Sequence, residues 1–534
     1  MNSATSPKKP KFMTWFHVIV LCLAASVLAL AFSFLWLQGT WVKPELRDQH
    51  DAFFFGTIGT EIMPQAAFEA LPELFPENFQ PLGVEAGDWV KQFGFIRSPE
   101  NANEGFPVGI ALSNYRAKSA APSPTKFVGF SCALCHTSVL KTLEGEGSLV
   151  VGNSNTSLNL FAWIDALQAS LLDEKRLTVD AIAAVYERKH SQPMPLGDRI
   201  MTRVWLTGAR RNLKANLPKD GDPYGGQGSM SPDNVPTGPA RTPPFRTLVR
   251  NLFNRPASDM AAYSKLETIY EQNLQEWAQF DGTVRDLLAR SSMAAFAAGA
   301  TVENMKNPEI ARNIIQASDY TRTLKGPSFA EVFPGSAAAL DQDRIHRGEK
   351  LFDTYCFSCH GRPDKATGEW LKGSRQGEVI PVEDIGTDPA RVNFRYYNEL
   401  PDRLYKLFPE DHPFAVSRAD LRPGPAGNTR GYLNKPLTSI FTRAPYLHNA
   451  SILTLAELIN LKPRQDVFFR GRNVYDTENV GLLSPEAPNS EVYFRFDTSL
   501  LGNSNKGHDY PWTYQGEGWN ESDLKDLLEY LKTL

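Results

Sequence analysis

Two pentapeptides carry the most specific chemistry in this chain: Cys132-Ala133-Leu134-Cys135-His136 and Cys356-Phe357-Ser358-Cys359-His360. In each, a pair of thiols is followed at once by an imidazole. That order suits addition of both thiols across the two vinyl groups of one porphyrin, with the adjacent histidine reaching the iron as its proximal ligand. The chain has five cysteines and these motifs use four of them. A zinc ribbon would bring its two knuckles within roughly 15–20 residues, whereas these lie in opposite halves of the chain. A redox dithiol needs no histidine after its second cysteine, and both copies have one. The expectation is two covalently bound haem c groups, held by Cys132, Cys135 and His136 and by Cys356, Cys359 and His360.

Distal ligands then decide the chemistry. An iron with two strong protein ligands passes electrons, while an open sixth position can bind oxygen or peroxide. His17, His50, His190, His346 and His412 fall in an apolar run, in charged strings or at a turn. His448 lies in Ala444-Pro445-Tyr446-Leu447-His448-Asn449, and His508 in a Gly- and Asn-rich loop before the last apolar stripe. Both follow the second motif, where a class I cytochrome carries its sixth ligand, and both are candidate ligands of that iron. The alternative for each is a histidine bonded to a haem propionate or to loop backbone. Between Thr137 and Asp343 the choices are His190 and Met194, Met201, Met230, Met260, Met293 and Met305, and methionine at helical spacing is usually core filler. The first iron is the better candidate for an open, reactive site.

The elements that must position these groups are partly legible. Trp15 to Leu37 is an almost uninterrupted apolar run, enough for one pass through a hydrocarbon core that needs about 20 residues. Lys8, Lys9 and Lys11 precede it, which predicts a cytoplasmic N-terminus and a body beyond the inner membrane, in the periplasm. A cleaved signal peptide has the same charge layout, but no small-X-small site precedes the aromatic segment 32–36. Cys22 lies inside the run after a leucine, without the small residue a lipoprotein site needs. Leu158, Phe161, Trp163, Ile164, Leu167, Leu171 and Leu172 recur at helical spacing after the first motif, and helical patterning returns over 257–317. Ile345, Gly348, Leu351 and Phe352 mark a helix entering the second motif. Ser522 can cap a closing helix striped by Leu524, Leu527, Leu528 and Leu531. Such a pair crosses in a class I cytochrome c. With 38 glycines and 38 prolines, long irregular connections are expected, notably at 217–245 and 362–430.

The reading is a mainly α chain with two cytochrome c-like haem domains, long irregular loops and one N-terminal transmembrane helix. Its parts are a cytoplasmic tail at 1–12, an anchor at 13–38, an N-terminal haem domain at 42–330 and a C-terminal cytochrome c domain at 335–534. A net charge of −4 gives no reason to expect a nucleic-acid partner.

Several segments resemble the bacterial di-haem cytochrome c peroxidase superfamily and, within it, more closely the branch of the di-haem rubber oxygenases. They are Phe106-Pro107-Val108-Gly109-Ile110, Gly129 through Thr137, Trp277-Ala278-Gln279-Phe280-Asp281-Gly282, Ala297 through Thr301, Lys435-Pro436-Leu437, Ala444 through Ser451, and Gly507-His508-Asp509-Tyr510. The resemblance implies two facing, mainly helical cytochrome domains. In it an N-terminal haem reacts with peroxide or oxygen and a six-coordinate C-terminal haem relays electrons. It also makes 280–296 a candidate distal wall of the first haem, with Arg290 and Phe296 as pocket residues, against ordinary helix packing for both. Asn449-Ala450 stands where the peroxidases usually have Asp-Gly, and Phe280 where the rubber-oxygenase relatives tend to have Trp. A membrane anchor argues against a freely diffusing polymer-cleaving enzyme, so rubber does not transfer as substrate.

The expected function is thus an anchored periplasmic oxidoreductase that activates peroxide or oxygen at the first haem, with a redox protein or quinol-linked donor as partner. The alternatives are an electron carrier without substrate chemistry, and a haem subunit or sensor that docks a partner enzyme. More than 200 residues per haem favours the first, since electron transfer alone needs about 100.

Overall fold

The computed structural model describes residues 11–42, 48–79, 88–98, 105–216, 235–253, 262–423, 430–471, 473–485, 493–510 and 519–534. Most of the expected 1–12 tail, much of the 217–245 loop, Met230 and Met260 lie outside them. The helix Lys11–Leu37 contains the apolar run, none of it buried against the body. It is long and apolar enough to span a membrane. Its end is stitched to the body: Thr40 N–H donates to Pro124 O at 2.8 Å, Thr40 Oγ1 donates to Asp198 Oδ1 at 3.1 Å, and Asn114 Nδ2 donates to Thr40 O at 2.8 Å.

Helix makes up 44% and strand 14% of the structure, so the fold is mixed where a mainly α one was expected. The strands are short because most form two-stranded ribbons that hold loops in place. The exception carries the first motif. Pro122–Phe130 is the centre of a three-stranded antiparallel sheet between Met63–Pro64 and Ile110–Tyr115, and Cys132–His136 follows directly. Helices Gln65–Leu74, Leu160–Leu172, Val179–His190 and Leu196–Asn216 cover this sheet around Trp163, whose ring lies 5.9–6.2 Å from those of Phe68, Phe95 and Phe130. Gly109 sits at φ +85, and a Cβ there would meet Leu134 N at 2.1 Å. Only glycine lets the 106–110 segment press on the motif backbone.

The second motif is built as expected. Helix Gln342–Tyr355 runs into it and crosses Glu521–Leu531. Gly348 makes the crossing possible, since a Cβ there would lie 2.0 Å from Asp526 O. Ile345, Phe352, Leu524, Leu527, Leu528 and Leu531 are all buried in one core. The cap of the closing helix is Asn520, paired with Asp523 in a capping box, rather than Ser522, because Asn520 holds the extended backbone an N-cap requires.

A third core joins Phe245, Leu248, Met293, Phe296 and Ile314 to Phe394, Tyr397, Leu404 and Phe414. Leu140, Val150 and Tyr270 pack with the C-terminal helices. Side-chain cores therefore cross the boundary expected near 330–335. Among the described residues, the stretch expected to be helical from 257 forms α-helices at Leu287–Ala297, Val302–Met305 and Pro308–Thr323. Before that, 264–269 runs extended, its backbone N–H groups spent on distant partners: Lys265 on His448 O, Leu266 on Ala240 O and Ile269 on Gly152 O.

Candidate haem sites

The two motifs end in the same local geometry. His136 Nδ1–H donates to the carbonyl of Glu267 at 2.8 Å, and His360 Nδ1–H donates to the carbonyl of Lys435 at 2.8 Å. A carbonyl only accepts, so each ring carries its proton on Nδ1 and presents a bare Nε2. That is the tautomer and second-shell bond of a metal-ligating histidine. Burial pushes the Cys132, Cys135 and Cys356 thiols up to about 12 and His136 down to about 4. It lowers His360 as well.

Beyond His360 lies His508. Their ring centroids are 6.1 Å apart. An iron bonded to two imidazoles at about 2 Å each sets the centroids about 6 Å apart, so the spacing suits a metal between them. His508 Nδ1 is buried with no hydrogen-bond partner among the described residues. Burial, with His360 opposite, pushes His508 down to about 4. Its backbone sits at φ +51, a conformation that non-glycine residues adopt when surroundings over-determine it. Those surroundings are specific. His508 N–H donates to Ile385 O at 2.8 Å, Arg464 Nη1 donates to Asn505 O and Gly507 O at 2.6 and 2.9 Å, and Asn449 Nδ2 donates to Ser504 O at 2.9 Å. The Asn449 amide supplies donors that an aspartate could not.

His448 is placed elsewhere. Its ring stacks on Tyr432 at 4.2 Å. The Tyr432 hydroxyl donates to Asp388 O and so accepts from His448 Nε2–H at 3.0 Å. That nitrogen is occupied by a tyrosine side chain, a partner that neither reading of His448 names.

His136 opens on a cavity of about 750 Å³, within the range of cofactor and ligand sites of about 300–1,000 Å³. Cys135, Trp163, Leu167, Trp205 and Met293 line it, and no histidine besides His136 does among the described residues. The donor set, the locked tautomers and this cradle fit covalent haem. The residues expected at its distal wall are displaced. Arg290 points to backbone, donating to Gln275 O, Glu276 O and Arg285 O at 2.7–2.9 Å, and Phe296 packs in the third core. The helix Leu287–Ala297 instead offers Met293, Ala294 and Ala297 to the cavity, because its arginine is spent tying down the loop before it.

Sequence reasoning missed the cavity's charged residues. Arg391 lines it and pairs with Asp281 at 2.9 Å, with side chains 2% and 0% exposed. Its guanidinium lies 4.8 Å from the Phe245 ring and 5.7 Å from that of Phe280. Glu61 also lines the cavity. Its carboxylate accepts from Thr57 Oγ1 at 2.7 Å, Ser113 Oγ at 3.0 Å and Asn304 Nδ2 at 3.3 Å, yet burial outweighs these bonds and raises its pKa. Neither residue sits in a motif, and the single usable signal was a charged residue among apolar neighbours.

The family described as RoxA-like, cytochrome c-like matches residues 431–469, the segment that carries Tyr432, Lys435, His448 and Asn449. This is a cytochrome c-like segment, and it implies covalently bound haem c. The likeness lies on the rubber-oxygenase side of the resemblance noted above. Two uncharacterized proteins of Sinorhizobium fredii are also similar. The protein y4iJ is 24% identical over 586 residues, covering 93% of this chain and 93% of its own. The protein y4iM is 27% identical over 321 residues, covering 54% of this chain and 68% of its own.

Proposed function

We propose that this protein is a membrane-anchored di-haem c-type cytochrome that works as an oxidoreductase, with its reactive site at His136 and its electron-transfer site at His360. The observation that carries this is the inequality of the two histidines: His360 faces a second imidazole at 6.1 Å, whereas His136 faces a cavity with no second one. A haem with one protein ligand can take up oxygen or peroxide, and one with two passes electrons. Around His136 this chain supplies the rest. The Glu267 carbonyl keeps the imidazole neutral and oriented. Arg391 offers a guanidinium whose charge Asp281 balances, and Glu61 a carboxyl able to hold a proton at the cavity wall. Trp163, Leu167 and Trp205 exclude water.

The apolar helix suggests where this happens. Gly197, in the first turn of Leu196–Asn216, abuts the end of that helix at Leu35 O and Gln38 O. Leu196, Ile200 and Val204 are exposed along one face beyond it, and Val204 lines the cavity. An apolar face thus leads from the anchor to the His136 site, as suits a body seated on the bilayer and drawing on a quinol-linked or periplasmic redox partner. The lysines ahead of the helix favour a periplasmic body.

Optical and EPR spectra of the full-length protein, with and without carbon monoxide, test the assignment. A high-spin haem that binds carbon monoxide beside a low-spin one is expected, with two haems per chain by pyridine haemochromogen. The carrier without substrate chemistry has in its favour the thioethers of Met201 and Met293 at the cavity wall. Two low-spin haems, one of them converted to high spin by Met293→Leu, would establish that reading instead.

A further inference from the structure

Two walls of the His136 cavity start from the residues that hold the end of the apolar helix. Asn114 donates to Thr40 O at 2.8 Å and accepts from Val42 N–H at 2.9 Å, and two residues on, Arg116 lines the cavity. Gly197 abuts Leu35 O and Gln38 O. One helical turn on, Met201 lines the cavity, and Val204 follows it. Arg116 Nη2 reaches Met201 Sδ at 4.0 Å, so the two walls meet. Trp36 and Trp41, with ring centroids 4.6 Å apart, flank this exit, as aromatic residues do where a membrane helix enters the headgroups. The cavity is open here: Lys118, Ser119, Val204, Ala294 and Ala298 line it and are exposed. The haem motif lies at the other end. Ile110 pairs with Phe130 just ahead of it, and Arg116 follows Ile110 after about 20 Å of strand.

Between these ends the wall is largely apolar, with Phe161, Trp163, Leu167, Leu171, Trp205 and Leu213 along it. The charges inside are spent: Asp281 balances Arg391, Lys265 Nζ donates to Pro445 O at 2.8 Å, and burial favours the neutral form of Glu61. The mouth is different. Arg116 Nε is buried without a hydrogen-bond partner among the described residues, and the Met201 sulfur is a weak acceptor for the rest of its guanidinium. Partial burial and the nearby charge of Arg250 lower the Lys118 pKa, and an anion beside it would offset both. We propose that the His136 cavity takes up a long-chain carboxylate, a fatty acid, from the bilayer, with the acyl chain along the apolar wall and the carboxylate held at the mouth by Arg116 and Lys118. The inference rests on the proposed reactive site at His136 and names the substrate class of that site. An acyl chain gains about 0.8 kcal/mol per CH₂ on entering the membrane, so a mouth at the headgroups meets fatty acid at a far higher concentration than one in water would. Its carboxylate stays at the headgroup level, where the anchor ends and the two cations stand.

The test uses full-length holoprotein in phosphatidylcholine nanodiscs and palmitic acid carrying a photoreactive diazirine at mid-chain. After irradiation, cross-links should map to Leu160–Leu172 and to 201–213, and excess palmitate should remove them. Cross-links in Lys11–Leu37 report that the probe has entered the bilayer. Arg116→Gln/Lys118→Gln should weaken the displaceable labelling about tenfold or more, the loss expected for hydrogen bonds to a charged group. Val204→Trp should narrow the mouth and reduce it too. Labelling confined to the anchor, or displacement by palmityl alcohol as good as by palmitate, overturns the proposal. A double variant that labels like the wild type while one haem potential shifts assigns the two cations to the haem propionates, and overturns it as well. If the double variant does not fold, the comparison of palmitate with palmityl alcohol on the wild type decides. Carbon monoxide binding to the same preparation separates the two readings. No binding sinks the reactive site at His136 and its substrate with it, whereas binding without displaceable label in the cavity sinks the fatty acid alone.

Discussion

The imidazoles of His360 and His508 face each other with ring centroids 6.1 Å apart, and the loop that brings His508 there is held by Asn449, Ser451 and Arg464. Replacing His508 by alanine should turn one haem from low to high spin and create a second carbon monoxide site. His448→Ala should leave the haem spectrum unchanged, because its Nε2 is bonded to Tyr432. Optical spectra of the two variants side by side check this. A high-spin His448→Ala protein with an unaltered His508→Ala protein would exchange their roles.

The Arg391–Asp281 pair is fully buried at the edge of the His136 cavity. Removing one partner strands the other's charge, at a cost of about 3–5 kcal/mol. Arg391→Met should therefore lower the thermal unfolding midpoint strongly, and Asp281→Asn/Arg391→Met should lose less than the two single changes summed. Calorimetry on the four proteins closes the cycle, and strictly additive losses would show that the pair is not coupled.

Gly348 lies where Gln342–Tyr355 and Glu521–Leu531 cross, and a Cβ there would stand 2.0 Å from Asp526 O. Gly348→Ala should force the helices apart at an overpacking cost of about 1–3 kcal/mol. Haem content and thermal stability should both fall, most visibly for the haem at His360. Retention of the wild-type midpoint would mean that the crossing relaxes freely.

Burial raises the Glu61 carboxyl above its ordinary value near 4.5. In acid, both folded and unfolded chains hold this proton and nothing is lost. As pH rises through the ordinary value the unfolded chain releases its proton first, so Glu61 costs stability increasingly until its folded-state value is passed. Glu61→Gln has no such cost. Its midpoint should gain on the wild type as pH goes from 4 to 8, and a gap that does not change with pH would count against the elevated carboxyl.

Much of this was readable along the chain. The haem motifs, the apolar helix, the helix entering the second motif and the closing leucine stripe depend on spacings within a few residues of one another, and local spacing is what a sequence displays. His508 could be singled out because the loop before a closing helix is a short distance along the chain from it. Arg290 and Phe296 were misplaced for the opposite reason. Which turn of a helix faces a cavity depends on what packs on its other sides, and the Gln275, Glu276 and Arg285 carbonyls that occupy Arg290 leave no mark in the pattern.

The sequence by itself displayed two Cys-X-X-Cys-His pentapeptides, because the order that thioether attachment and proximal ligation require is written in five adjacent positions. Only the tertiary structure decided what stands opposite each of the two histidines. His508 opposite His360, and Arg391 and Glu61 on the wall of the His136 cavity, bring together side chains from distant segments. Such meetings are set by how the cores close on one another, and no local period or motif records them.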